Sequence, residues 1–170
     1  LLEERIDIAV HSLKDLPTKL PEGLMLSACT ERGNIGDTLI VRSDRVPDGA
    51  GPETPLEDIM ASISEDLTVG TSSLRRKAQL KNAFPNLSFA PMRGNLDTRV
   101  RKLAEGQADI LAVASAGLER LAVDTAPHLA LALPFRLVLP AAGQGSLGLE
   151  TREEGPAREI AALLEHGPTK

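Results

Sequence analysis

Short apolar, β-branched runs alternate along the chain with longer stretches that carry helix-start and helix-stop residues, and this alternation restricts the fold more than any other feature. Residues 6–10, 24–29, 39–41, 67–69, 87–89, 108–114, 137–139 and 145–150 read as strands. The first has the β-branched, unbroken character of a buried parallel strand. Between them, Thr71-Ser72-Ser73 can cap a helix through Leu74, Ala78, Leu80 and Phe84 that closes at Pro85. Arg93-Gly94-Asn95 leads into a second helix through Val100, Leu103 and Ala104, stopped by Gly106. Ser115 can cap a short helix through Leu118 and Leu121, and residues 157–165 form a last one with Ile160, Ala161 and Leu164 on one face. Residues 1–5 resemble the tail of a helix, residues 12–23 a loop punctuated by Pro17, Pro21 and Gly23, and residues 42–55 an exposed loop rich in Pro and Gly. Strand and helix in alternation predict an α/β fold with parallel or mixed sheets. Two apolar runs that each follow an aspartate and end at a serine, 7–12 and 109–115, are a weak internal echo suggesting two similar lobes.

The length of 170 residues lies between one ordinary domain and two small ones. Without Trp or Tyr and with three Phe, the core must be aliphatic. A single cysteine, Cys29, rules out an internal disulfide framework, and no Cys/His group has metal-ligand spacing, so no metal is expected. No apolar run approaches the ~20 residues of a membrane helix, and the first residues lack the layout of a secretory signal. A reducing cytoplasm is the expected setting, with no membrane partner.

The net charge of −5 hides an asymmetry. Between Arg75 and Lys102 stand eight basic residues and one acid, Asp97, so this window carries +7 and the remainder −12. Like charges gathered in one place repel, and a basic concentration inside an acidic chain suggests an anionic ligand, although a solvated helix face accounts for the same count equally well.

Three motifs could carry chemistry. Backbone N–H groups at a helix start are unpaired and sit at the positive end of the dipole, so Gly70-Thr71-Ser72-Ser73, followed at once by Arg75 and Arg76, offers amides, hydroxyls and guanidinium forks to a carboxylate or phosphate. An ordinary capped helix with two surface arginines would look the same. The second basic helix repeats the grammar, with Arg93 ahead of the cap and Arg99 and Lys102 three apart on one face. If the strand assignments hold, both turns lie at carboxyl ends of strands, where ligands gather in α/β sheets. His11-Ser12-Leu13-Lys14-Asp15 occupies the same kind of position, and a carboxylate there can stabilise a cationic intermediate. By contrast, Gly143-Gln144-Gly145-Ser146-Leu147-Gly148 fits G-x-G-x-x-G only in letters, because that pattern must open a helix and here it enters a strand. Its glycines read as a flexible connection between lobes.

Taken together, His11-Ser12-Leu13-Lys14-Asp15-Leu16-Pro17, Gly70-Thr71-Ser72-Ser73-Leu74-Arg75-Arg76, Arg93-Gly94-Asn95 with Thr98-Arg99, and Ala142-Gly143-Gln144-Gly145 with Leu147-Gly148 resemble the signatures of porphobilinogen deaminases (hydroxymethylbilane synthases), in family order and spacing. The resemblance implies a two-lobed, periplasmic-binding-protein-like (type II) α/β architecture with mixed sheets and an active cleft between the lobes. It assigns residues 1–33 to part of domain one, 38–138 to domain two, 145–152 to a return into domain one, and 153–170 to a helix leading toward a third domain absent here. The implied activity is a transferase of tetrapyrrole (heme) biosynthesis that joins four porphobilinogen molecules head to tail, releases ammonia and hydrolyses the product to hydroxymethylbilane. Asp15 matches the catalytic aspartate. Lys14, Thr71, Ser72, Ser73, Arg75, Arg76, Arg93, Gly94 and Arg99 match positions that hold the dipyrromethane cofactor or the substrate, whose acetate and propionate arms suit arginine. The family's attachment cysteine lies in a Gly-Gly-Cys loop of domain three, and Cys29 stands on a different motif. Domain one is incomplete ahead of Leu1, so the chain alone is expected to lack turnover, while the full-length protein is expected to be a monomer. Asn34-Ile35-Gly36-Asp37 departs from relatives that carry a proline and an arginine before the aspartate.

A non-catalytic two-lobed receptor for a polycarboxylate would use the same arginines but leave Asp15 idle. Nucleic-acid binding through residues 75–102 would need more stacking aromatics than Phe84 and Phe89, and none is expected.

Overall fold

Two apolar runs with no polar alternation, at the centres of residues 37–41 and 110–114, become strands buried on both faces and organise the larger part of the protein. The structure, a computed structural model, describes residues 1–62 and 66–169. Residues 63–65 and 170 lie outside these, and with 170 the end of the segment assigned above to 153–170. In chain order the elements are β1 (Ala9–Ser12), a 3-10 turn (Leu13–Asp15), β2 (Leu24–Cys29), β3 (Asp37–Val41), α1 (Leu56–Ser62), β4 (Thr68–Gly70), α2 (Leu74–Ala83), β5 (Ser88–Ala90), α3 (Leu96–Ala104), β6 (Ile110–Ala114), α4 (Ser115–Leu121), β7 (Leu129–Ala132), β8 (Leu147–Arg152) and α5 (Pro156–Ala162). The chain divides into two compact units, Leu1–Ile35 with Ala141–Lys170, and Gly36–Pro140.

The unit Gly36–Pro140 is a mixed five-stranded sheet in the order β5-β4-β6-β3-β7. Strands β5, β4 and β6 run parallel, linked through α2 and α3, while β3 is antiparallel to both β6 and β7. Side chains alternate across the sheet as a pleated strand requires. Leu39, Val41, Ile110 and Ala112 face one core with Leu56 and Ile59 of α1 and Leu80 of α2. Ile40, Leu111 and Val113 face the other with Leu103 of α3, Val100 and Leu118. Helices therefore cover both faces, the three-layer solution that doubly apolar strands demand.

The other unit is a three-stranded antiparallel sheet, β1-β8-β2, and α5 packs Ala161 against Ala28 and Leu149. Several expectations fail here, where a sheet of three strands leaves β1 at an edge. Strand β1 is antiparallel, begins at Ala9 rather than residue 6, and leaves Val10 62% exposed, so it is not a buried parallel strand. Residues 1–5 form turns, not a helix. The inward face of α5 is Ala157 and Ala161, one helical turn apart, whereas Ile160 and Leu164 are exposed.

Three further corrections concern the larger unit. Residues 137–139 are not a strand. Pro134 opens a turn in which the Val138 N–H donates to its carbonyl at 3.1 Å, and β7 instead takes the preceding apolar run onto the edge of β3. Ser115 does not cap α4, because its hydroxyl is buried against Thr38 Oγ1 at 2.8 Å. A short helix, α1, stands within the stretch following the Pro/Gly loop.

The internal echo has a structural counterpart in each unit. Asp7 pairs with Arg152 at 2.6 Å, at the end of the strand antiparallel to β1. Asp109 pairs with Arg42 at 3.2 Å, just past the end of the strand antiparallel to β6. In both, a helical turn follows the strand led by the aspartate.

Candidate functional site

The local sequence Gly70-Thr71-Ser72-Ser73 makes a turn because each hydroxyl has a backbone partner. Thr71 N–H donates to Ala90 O at 2.9 Å, tying the turn to β5. Thr71 Oγ1 accepts from Ser73 N–H at 3.2 Å, Ser72 Oγ donates to Met92 O at 3.1 Å, and Ser73 Oγ caps α2 by accepting from the Arg76 N–H at 3.4 Å. The neighbouring loop, residues 91–95, leaves the carboxyl end of β5 and ends at Asn95, whose Oδ1 caps α3 by accepting from the Thr98 N–H at 3.0 Å. Gly94 sits at φ +116°, and a Cβ there would lie 2.9 Å from Thr98 Cγ2, so only glycine suits this entry to α3. Arg99 Nε donates to Gly94 O at 2.7 Å and Lys102 Nζ to Arg93 O at 3.0 Å, so α3 braces its own leading loop. Arg93 is exposed and its guanidinium has no hydrogen bond or ion pair among the described residues.

The strand ends thus bring Thr71, Ser72, Ser73, Arg93 and Gly94 onto two adjoining loops, with Arg75 and Arg99 in the first turns of the helices those loops open, at the carboxyl ends of the neighbouring parallel strands β4 and β5. Two helix starts with their amides, two caps and three arginines make this a concentration of positive potential suited to carboxylates. Arg76 behaves differently. It is 5% exposed and turns inward, donating to Asp37 Oδ1 through Nε at 3.1 Å and Nη2 at 2.7 Å and to Ala112 O through Nη1 at 3.3 Å. Arg75 Nη2 donates to Asp37 Oδ2 at 2.8 Å, and its Nη1 to the Leu139 carbonyl. Burial, the largest single influence on the Asp37 carboxyl, would raise its pKa. Hydrogen bonds and charge from Arg76, then from Arg75, outweigh that and hold it below the usual carboxylate value.

Lys14 and Asp15 belong to the other unit, on the 3-10 turn that ends β1. Leu13 N–H donates to Ser146 O at 3.0 Å, and Lys14 Nζ to Gln144 Oε1 at 3.3 Å, so the turn rests on the segment entering β8. Asp15 is exposed. Upstream, His11 Nε2 lies 3.0 Å from Glu150 Oε2.

Reading the sequence alone missed two residues. Asp37 stands out in the sequence only as the aspartate that closes Asn34-Ile35-Gly36-Asp37, ahead of the strand expected at 39–41, and nothing local marks it as the partner of guanidiniums 38 and 39 positions away. Gln144 was read as part of a flexible connection, but it is 1% exposed, its Nε2 donates to Ile35 O at 2.7 Å, and its carbonyl accepts from Arg32 Nε at 2.7 Å. Gly145, at φ +93°, lets the backbone pass where a Cβ would come within 2.7 Å of Gly33 O. This segment is a packed turn. Cys29 is buried in β2, which fits poorly with a role in attaching a cofactor. No His/Cys/Asp/Glu group among the described residues could hold a metal ion, and none of the described helices is long and apolar enough to cross a membrane.

The fold is α/β with mixed sheets, of the type II periplasmic-binding-protein kind. It is similar to a probable amino-acid ABC transporter extracellular-binding protein from Bacillus subtilis (TM-score 0.50, 11% identity, 95% of this chain and 66% of that one). It is also similar to a probable transcriptional regulator from Pseudomonas aeruginosa (TM-score 0.55, 18% identity, 96% and 50%). Within that class, residues 1–159 match the family described as "Porphobilinogen deaminase, dipyromethane cofactor binding domain", and the chain belongs to the porphobilinogen deaminase family. Its relatives include porphobilinogen deaminases of Synechococcus elongatus (45% identical, 99% of this chain and 49% of that protein) and of Nitratidesulfovibrio vulgaris (42%, 100% and 49%). The chain spans about half the length of these curated relatives.

Proposed function

We propose that the complete gene product is a porphobilinogen deaminase, a cytoplasmic monomer that condenses four porphobilinogen molecules head to tail with loss of ammonia and hydrolyses the product to hydroxymethylbilane. In this reading the units built on residues 1–35 and 36–140 correspond to the family's first and second domains. The observation that carries it is the pair of arginine-bearing helix starts on adjoining strand ends in a chain whose family is described by its dipyrromethane cofactor.

The residues suit such a polycarboxylate. Arg93 and Arg99, with Arg75, offer guanidiniums that match carboxylate geometry. Thr71, Ser72 and Ser73 line the α2 entry with hydroxyls and amides, and Gly94 lets the backbone come close. Lys14 matches a family position that holds the cofactor or the substrate, and Arg76 contributes by fixing the helix start. Once bound, the cofactor supplies the pyrrole end to which substrate rings are joined. Asp15 is the catalytic carboxylate: it accepts hydrogen bonds from pyrrole N–H groups and stabilises the positive charge that develops on the ring as ammonia leaves. Each further ring brings two carboxylates, which favours a surplus of arginine over lysine in the cradle.

The decisive variant is Asp15→Ala in the complete gene product. It is expected to abolish hydroxymethylbilane formation while leaving the intact mass above the polypeptide mass by a dipyrromethane adduct. Normal turnover would refute the catalytic assignment, and a mass equal to the bare polypeptide in the unaltered protein would refute the cofactor.

A further inference from the structure

We infer that Asp37 is a positioning residue that presents Arg75 to an anionic ligand, with Arg76 serving as the anchor of the pair. The inference rests on the reading of Arg75 as a ligand-binding residue. An aspartate at the first position of a strand ordinarily points its carboxylate to water, yet the Asp37 side chain has no exposed surface. A buried lone carboxylate is unfavourable, and it persists only where charge and hydrogen bonds compensate it.

The compensation is divided unequally. Oδ1 receives both Nε and Nη2 of Arg76, whose remaining terminal nitrogen donates to Ala112 O. That fork is turned inward along its whole edge. Oδ2 receives Nη2 of Arg75, and Nη1 of Arg75 reaches the Leu139 carbonyl. The Arg75 side chain remains 24% exposed against 7% for Arg76. Two guanidiniums and one carboxylate sum to +1, and the surplus lies with the more exposed guanidinium, at the start of α2. Asp37 therefore leaves the cradle positive while removing the rotamer freedom that Arg75 would otherwise lose on binding. The two guanidiniums also outweigh burial at the Asp37 carboxyl and hold its pKa below the usual carboxylate value.

The test is a double-mutant cycle in the complete gene product, using Asp37→Asn, Arg75→Gln and the two together. Asp37→Asn is expected to raise KM for porphobilinogen on the order of tenfold with little change in kcat, the signature of lost binding. Arg75→Gln should do the same, and the combination should be no worse than Arg75→Gln alone, since Asp37 acts through Arg75. Additive losses, or a lowered Tm with KM unchanged, overturn the proposal. Should Asp37→Asn fail to fold, Asp37→Asn with Arg76→Gln restores a neutral buried pair and must still show the raised KM; a wild-type KM there overturns it equally. Calorimetric titration with citrate, a simple tricarboxylate, separates this inference from the deaminase reading. Weaker citrate binding in Asp37→Asn, in a protein without deaminase turnover, would sink that reading and sustain this one. Equal citrate affinity would sink this one whatever the turnover.

Discussion

Asp37 shows how much one side chain decides. Removing one partner of a buried ion pair leaves the other uncompensated, so Asp37→Ala, which strands Arg76, is expected to lower stability by about 3–5 kcal/mol in urea unfolding. Arg75→Ala should cost less, because that guanidinium is partly hydrated already. The same carboxylate sets a pH dependence. Its folded pKa lies below its unfolded value, near 3.9, so its contribution is complete above about pH 5 and is lost as the pH falls through the folded pKa. Unfolding curves of the wild type should therefore weaken as the pH falls through the folded pKa, and that dependence should flatten in Asp37→Asn. A single aspartate thus links the stability of the larger unit to the charge state of its proposed cradle.

At the level of elements, the helix starts were legible because capping is local. Ser73 and Asn95 each stand three residues before the N–H they cap, and the hydroxyl-rich and Arg-Gly-Asn turns announce them. Ser73→Ala and Asn95→Ala should each cost about 1 kcal/mol in thermal or urea unfolding, with the weaker effect at Ser73, whose bond is longer. A larger loss is expected from Gly145→Ala, where the added Cβ would meet backbone at 2.7 Å and φ is +93°, and differential scanning calorimetry would read it directly. What the chain did not announce was which of two adjacent apolar runs becomes a strand. Residues 129–132 and 137–139 are equally apolar, and the first becomes β7 because it pairs with β3, while the turn at Pro134 puts Val138 in the core without strand geometry. In the same way α5 turns Ala157 and Ala161 inward and leaves Ile160 and Leu164 exposed, a choice of face that its own apolar pattern does not announce.

For the whole molecule, the family places the chain and the two units describe it. The alternation of strand and helix, the caps, the arginine-rich window and the α/β class were all written in the amino-acid order, since each depends on residues within a turn or two of one another. Tertiary structure alone decided that Arg76 turns inward, that Asp37 receives two guanidiniums, and that Gln144 is a buried clasp. Those pairings join residues dozens of positions apart, and the free energy that selects them, the cost of burying a charge or an amide without a partner, exists only once the sheet has closed around them.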